Sequence, residues 1–242
     1  MNPPSLHNVI RTILGHKGYG KTTLVKTHVM SERAERGRVL VIDTMAEFAD
    51  VTLRVSLADA SRYMRNAGFA LSIVMEAEDE DTLEQACSLA WNARNMLIVL
   101  DEASRWQNPS YIPSALKRLL SYGRHAELDQ IYSARRPTEL HRMSTSECDF
   151  LDCFSMHEPR DLAYLRSYIS EDVANTVQTL PRFKYVEYAT GAEATLEIKS
   201  VKPLRVSAVS PASQSPGAPG SDRPSEGLDG FSTLLTSTPT DA

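Results

Sequence analysis

Two short stretches of this 242-residue chain carry residue types whose spacing suits phosphoryl chemistry. In the first, Gly15-His16-Lys17-Gly18-Tyr19-Gly20-Lys21-Thr22, followed by Thr23, glycines alternate with a lysine and end on hydroxyls. Glycines let the backbone curl so that successive amide hydrogens face one point. A helix starting at Lys21 would add unpaired N–H groups and a partial positive charge. That is a cradle for the phosphates of a nucleoside triphosphate, with Lys21 reaching the β- and γ-phosphates and the Thr22 hydroxyl on Mg²⁺. Residues 15–23 are the expected nucleotide-binding set. The alternative, an ordinary glycine-rich turn, is disfavoured by the apolar run before the motif and the helical pattern after it.

The second stretch is Met96-Leu97-Ile98-Val99-Leu100-Asp101-Glu102. A buried parallel strand delivers Asp101 at its C-terminal edge, where ligands of open α/β sheets collect, and Asp101 is expected to hold Mg²⁺, partly through water. Glu102 is placed to take a proton from an attacking water. Read alone, an apolar run ending in two acids is only a strand meeting a turn. Downstream of a phosphate loop it completes a hydrolytic site, and the second carboxylate favours hydrolysis over mere binding. Hydrolysis also wants a cation on the γ-phosphate, often an arginine from a neighbouring molecule. The candidates are Arg118, Arg124, Arg135 and Arg136, with Arg124 preferred as the finger because it follows Gly123 at the end of a helix.

These residues need a frame that aligns strand ends. Strand and helix patterns alternate: strands over 9–14, 39–42, 69–75, 96–100, 130–134 and 152–156, and helices over 21–36, 82–94, 112–122, 159–168 and 171–180. A closing hairpin is expected at 183–188 and 194–199, around Thr190-Gly191. The order predicts an α/β fold with a mostly parallel sheet and helices on both faces. With 42% hydrophobic residues the chain suits one sizeable core, so residues 1–204 are expected to form a single ATPase domain. From about Leu204 the composition turns to Ser, Pro, Gly and Thr, which predicts a disordered tail over 205–242.

The three cysteines, Cys87, Cys148 and Cys153, lack metal-ligand spacing and read as buried reduced thiols. No stretch is long and apolar enough to span a bilayer, and MNPPSLHNVIRT lacks the apolar core of a secretory signal, which places the protein in the cytosol. The net charge of −5 disfavours a nucleic-acid binder, but the charge is uneven. Lys117 to Arg142 holds six basic residues against Glu127, Asp129 and Glu139, whereas Glu76 to Glu84 holds six acids and no base. The acidic run reads as the exposed start of a helix, where its dipole favours negative charge. Trp91 reads as core. Trp106, in a loop after the Asp-Glu strand, is a candidate for a subunit or DNA contact.

One resemblance emerges from short motifs. Gly123-Arg124-His125, a spacer, the strand 130–134 and then Ser133-Ala134-Arg135-Arg136-Pro137 resemble a segment of the HerA/FtsK family of ring-forming DNA translocases. Asp43, Glu47 and Phe48 after the second strand, and Asp161 and Leu165 in the stretch from Phe154 to Tyr168, resemble the family too. The resemblance covers residues 9–200. It departs from the family at Arg135, where a polar sensor Gln usually precedes Arg-Pro; Arg135 then stands as a cationic sensor or faces solvent. The resemblance is nearest to the small genome-packaging ATPases of membrane-containing icosahedral viruses. It implies a RecA/FtsK-HerA-like core, Mg²⁺ and ATP, a homo-oligomeric ring and double-stranded DNA gripped non-specifically by its backbone. It further implies capsid or vertex partners, in the host cytoplasm or on the virion. The competing readings are a HerA or conjugation-type DNA-processing ATPase and an NTP-dependent assembly or switch protein that does not bind DNA. A small P-loop kinase is disfavoured because neither an Arg-rich lid nor a nucleoside pocket is visible.

Overall fold

The computed structural model describes residues 8–75, 79–191 and 194–202; the tail from residue 205 and Glu76 and Glu78 of the acidic run lie outside them. In chain order the elements are β1 (Ile10–Leu14), α1 (Lys21–Glu35), β2 (Arg38–Asp43), β3 (Leu53–Val55), α2 (Leu57–Tyr63), β4 (Phe69–Val74), α3 (Glu80–Ala93) and β5 (Met96–Leu100). They continue with α4 (Ser114–Tyr122), β6 (Leu128–Ala134), α5 (Met143–Ser146), β7 (Phe150–Phe154), α6 (Pro159–Tyr168), α7 (Glu171–Val177), β8 (Lys184–Ala189) and β9 (Thr195–Ser200). They build one nine-stranded sheet in the order β3-β4-β2-β5-β6-β1-β7-β8-β9. Strands β1 to β7 run parallel, and β8 and β9 close the edge as an antiparallel hairpin.

The central strands are apolar throughout because both faces are covered. Val39, Val41, Leu97, Val99 and Ile131 meet Leu24, Val25 and Val29 of α1 on one face. Leu40, Ile42, Ile98, Leu100 and Tyr132 meet the remaining helices on the other. Each of the α1 residues contributes about 1.5–3 kcal/mol of burial, enough to seat the helix whose first turn ends the phosphate loop. The coverage is asymmetric, with α1 alone against several helices, so one layer of side chains separates β1 from that single helix.

Several boundaries depart from the sequence pattern for identifiable reasons. Strand β7 starts and ends two residues earlier than expected, because Asp152 is a fully buried mid-strand residue paired with Arg11; a charge inside an apolar run misled the reading. Strand β6 begins at Leu128, taking in Asp129, whose carboxylate is bound by Arg36 and the Val9 amide. Strand β3 and helix α2 carried no signal. The strand is three residues long with two exposed, and α2 buries only Ala60 behind its Ser56 cap. Helix α3 begins at Glu80, capped by Asp79, with Glu80 and Asp81 in its first turn. Trp106 is 4% exposed and packs in the core, so its ring does not present the candidate subunit or DNA contact. Trp91 is half-buried against the same core, and all three cysteines are free and buried.

Candidate active site

The phosphate loop joins the end of β1 to the start of α1. Gly20 occupies the N-cap position of α1 with φ near 115° and supplies no capping side chain, so the helix's first amides remain available to an anion. Lys21 is 8% exposed and its Nζ donates to the Gly15 carbonyl at 2.6 Å, which folds the ammonium back over the loop. Burial lowers its pKa, opposed by Glu102 and Asp101.

Strand β5 lies two strands from β1, across β6. Its end places Asp101 and Glu102 beside the loop, and Ser133 from β6 locks them. The Ser133 hydroxyl donates to Asp101 Oδ1 at 2.6 Å and accepts the Glu102 amide at 3.0 Å. Glu102 adopts the left-handed backbone, φ 51°, a conformation uncommon outside glycine and one that surrounding structure must hold. Burial raises the Asp101 pKa to about 6, with Glu102, Asp43 and Glu47 adding to it and the Ser133 hydroxyl opposing. A divalent cation bound there would oppose that rise and favour the ionised carboxylate.

A fourth element joins from the end of β2. Asp43 is buried and accepts the amides of Met45, Glu47 and Phe48, turning the chain so that Glu47 reaches the loop. Glu47 Oε2 accepts the Thr22 hydroxyl at 3.1 Å. Asp43 is the acid that ends strand β2, as Asp101 follows β5, whereas Glu47 stands four residues further on, so its place in the site comes from the turn and not from a strand-end pattern. Thr22, Asp101 and Glu47 present only oxygen, the donor set that Mg²⁺ takes together with water and phosphate. Among the described residues no cluster of three or more His, Cys, Asp or Glu could hold a metal by itself.

Lys21, Thr22, Glu47, Asp101 and Glu102 open on one cavity of about 640 Å³, lined also by Lys17, Gly18, Gly20, Thr23, Lys26, Met45, Arg135 and Phe183. Of the predicted residues, Gly15, His16 and Tyr19 form the rest of the loop without lining the cavity. Lys26 is paired with Asp50 at 2.8 Å. Arg135 Nε donates to Glu102 Oε1 at 3.3 Å with its side chain half exposed. Its neighbour Arg136 is anchored on buried Asp161, which also accepts the Thr138 hydroxyl, so the turn carrying Arg135 is fixed from behind.

The other two arginines lie elsewhere. Arg118 stacks over the Trp91 ring at 4.1 Å on α4. Arg124 is exposed in the turn Gly123–Ala126 before β6; β6 runs parallel to β1, so that turn is at the sheet edge opposite the phosphate loop. Neither lines the cavity of its own chain. Gly123 has a packing reason, because a Cβ there would collide with the buried Gln130 amide.

No protein-family model and no curated protein sequence matches the chain. Solved structures do. The genome packaging NTPase B204 from Sulfolobus turreted icosahedral virus 2, in complex with AMPPCP, superposes with a TM-score of 0.71 at 22% identity, covering 81% of this chain and 98% of that one. VirB4 of Thermoanaerobacter pseudethanolicus gives 0.60 at 12% identity, covering 82% and 90%. The bacterial conjugative coupling protein TrwBdeltaN70 gives 0.60 at 9% identity, covering 81% and 86%. The chain therefore shares the fold of these solved structures, an α/β fold with a mostly parallel sheet, as expected.

Proposed function

We propose that this protein is a Mg²⁺-dependent ATPase that moves double-stranded DNA, working as a ring in the packaging of a viral genome. The observation that carries the reading is the convergence on one cavity of the phosphate loop, the Asp101-Glu102 pair, Glu47 and Arg135. The loop amides and Lys21 hold the phosphate chain and offset its charge. Thr22 and Asp101 would hold Mg²⁺, and Glu47 orients the Thr22 hydroxyl; the ion when bound neutralises phosphate charge. Glu102 takes the proton of the attacking water, held in position by the Ser133 bond to its amide. Arg135 leaves Glu102 to meet the γ-phosphate, which frees the base and supplies a cation in one movement.

Arg124 at the opposite sheet edge, and Arg118, can serve only the cavity of a neighbouring molecule, as a ring would allow. The basic residues between Lys117 and Arg142 then serve partly that junction and partly the DNA phosphates, where backbone contacts need Lys and Arg and no base reading. The likeness to B204 over nearly all of that protein supports packaging, with capsid or vertex proteins as partners and host cytoplasm or virion as the place of action. Among the described residues no helix is long and apolar enough to cross a membrane. The likeness to VirB4 and TrwB supports the second reading, a conjugation-type DNA-processing ATPase. A switch protein that ignores DNA would share the cavity but not the need for Glu102.

Translocation is tested by ATP-driven displacement of a triplex-forming strand from linear duplex DNA. Displacement that requires ATP and scales with duplex length is expected. Hydrolysis without displacement would turn the reading toward a switch.

A further inference from the structure

Phe183 is an exposed aromatic side chain for which the phosphate chemistry gives no reason. It stands one residue before β8, keeps 41% of its surface exposed and has φ near 64°. A left-handed backbone at a bulky residue persists only where its surroundings impose it. Here two backbone hydrogen bonds do so: the Phe183 amide donates to the Tyr19 carbonyl at 3.1 Å, and the Val201 amide donates to the Phe183 carbonyl at 2.9 Å. The backbone of Phe183 is thus tied to the phosphate loop itself. A Cβ on Gly20 would stand 3.1 Å from Phe183 Cδ1 and 2.9 Å from Val201 Cγ1, so the ring lies directly against the loop backbone. The Arg182 guanidinium covers the Tyr19 ring at 5.7 Å, and the Tyr19 side chain does not line the cavity. Phe183 is the one aromatic residue on the cavity wall among the described residues.

A phosphate chain seated on the loop amides carries a sugar and a planar base outward along the cavity wall. The structure assigns Phe183 as the stacking platform for that base, an inference that rests on the phosphate-loop reading above. The ligand class is a nucleoside triphosphate held at one end by charge and at the other by a π-face. Because the Tyr19 carbonyl fixes Phe183, the base subsite and the phosphate subsite move as one body.

Calorimetric binding of Mg-ATP and of Mg-tripolyphosphate to the full chain separates the two subsites. Phe183→Ala is expected to weaken ATP about tenfold to a hundredfold, the range of a lost base–aromatic stack, and to leave tripolyphosphate unchanged. Phe183→Trp is expected to keep ATP affinity near wild type. An Ala variant that binds ATP as wild type does overturns the assignment. So does a parallel loss of both ligands, which would mark Phe183 as a support of the loop. A wild-type protein that binds neither ligand overturns the phosphate-loop reading, and the platform falls with it.

Discussion

Two buried clusters of charge sit on this sheet, and they are built to opposite ends. Under α1, Arg11 Nη1 donates to both oxygens of Asp152 at 2.8 and 2.7 Å and to Glu187 at 2.8 Å, while Lys199 closes on Glu187 from the hairpin. Burial lifts the Asp152 pKa, and Arg11, bonded to it, pulls it back down. Every carboxylate there has a cation, and the cluster joins β1, β7, β8 and β9. At the phosphate loop the charges also meet, but Lys21 bonds only backbone carbonyls, and Asp101, Glu47 and Glu102 keep oxygen atoms facing a cavity. A cluster closed by its own partners holds strands together, whereas one whose groups open on a cavity is arranged for something that arrives.

The largest effect that could break this contrast is on stability. Arg11→Leu removes the cation bonded to buried Asp152 and should cost about 3–5 kcal/mol, read as a fall in Tm. Hydrolysis per folded molecule should not change, and a loss of turnover at temperatures where the variant is folded would erase the distinction between the clusters. His28, above the same network, sharpens it through pH. Burial first, and Arg11 second, lower its pKa from 6.5 to about 4. The folded state refuses a proton that the unfolded state accepts, so stability is lost as pH falls from about 6.5 to 4. The loss approaches about 3 kcal/mol at the acid end. In His28→Gln the acid-side decline of Tm should shrink; an unchanged decline would place the sensitivity elsewhere.

Smaller effects belong to the cavity side. Ser133→Ala removes the bond that orients Asp101 and the acceptor for the Glu102 amide, and is expected to cost about 1–3 kcal/mol of stability for the polar groups left behind. Its turnover should fall at least tenfold, a loss out of proportion to the change in Tm. Arg135→Ala should change stability by under about 1 kcal/mol, because the Glu102 pair is half exposed. Its effect should appear in turnover; equal turnover would return Arg135 to the solvent.

The difference between the clusters also explains what could be read from the sequence. The phosphate loop and the Asp-Glu strand end are local, and their backbone setting is written in adjacent residues. Glu47 reaches the cavity through the turn that Asp43 holds after β2, and Phe183 through its place before the start of β8 beside the loop, placements that no spacing records. Ser133 was visible as part of a motif, yet its bond to Asp101 depends on β5 and β6 lying side by side. Asp152 shows the same limit from the other side: its charge shifted the expected bounds of a strand because Arg11, its partner, lies 141 positions away.

Steady-state ATP hydrolysis by the purified chain, with and without linear double-stranded DNA, tests the central claim most directly. Lys21→Ala and Glu102→Gln serve as controls. The account predicts turnover raised several-fold by DNA and reduced by about 10² or more in each variant. Hydrolysis that ignores DNA at low salt, or that survives Glu102→Gln, would contradict it.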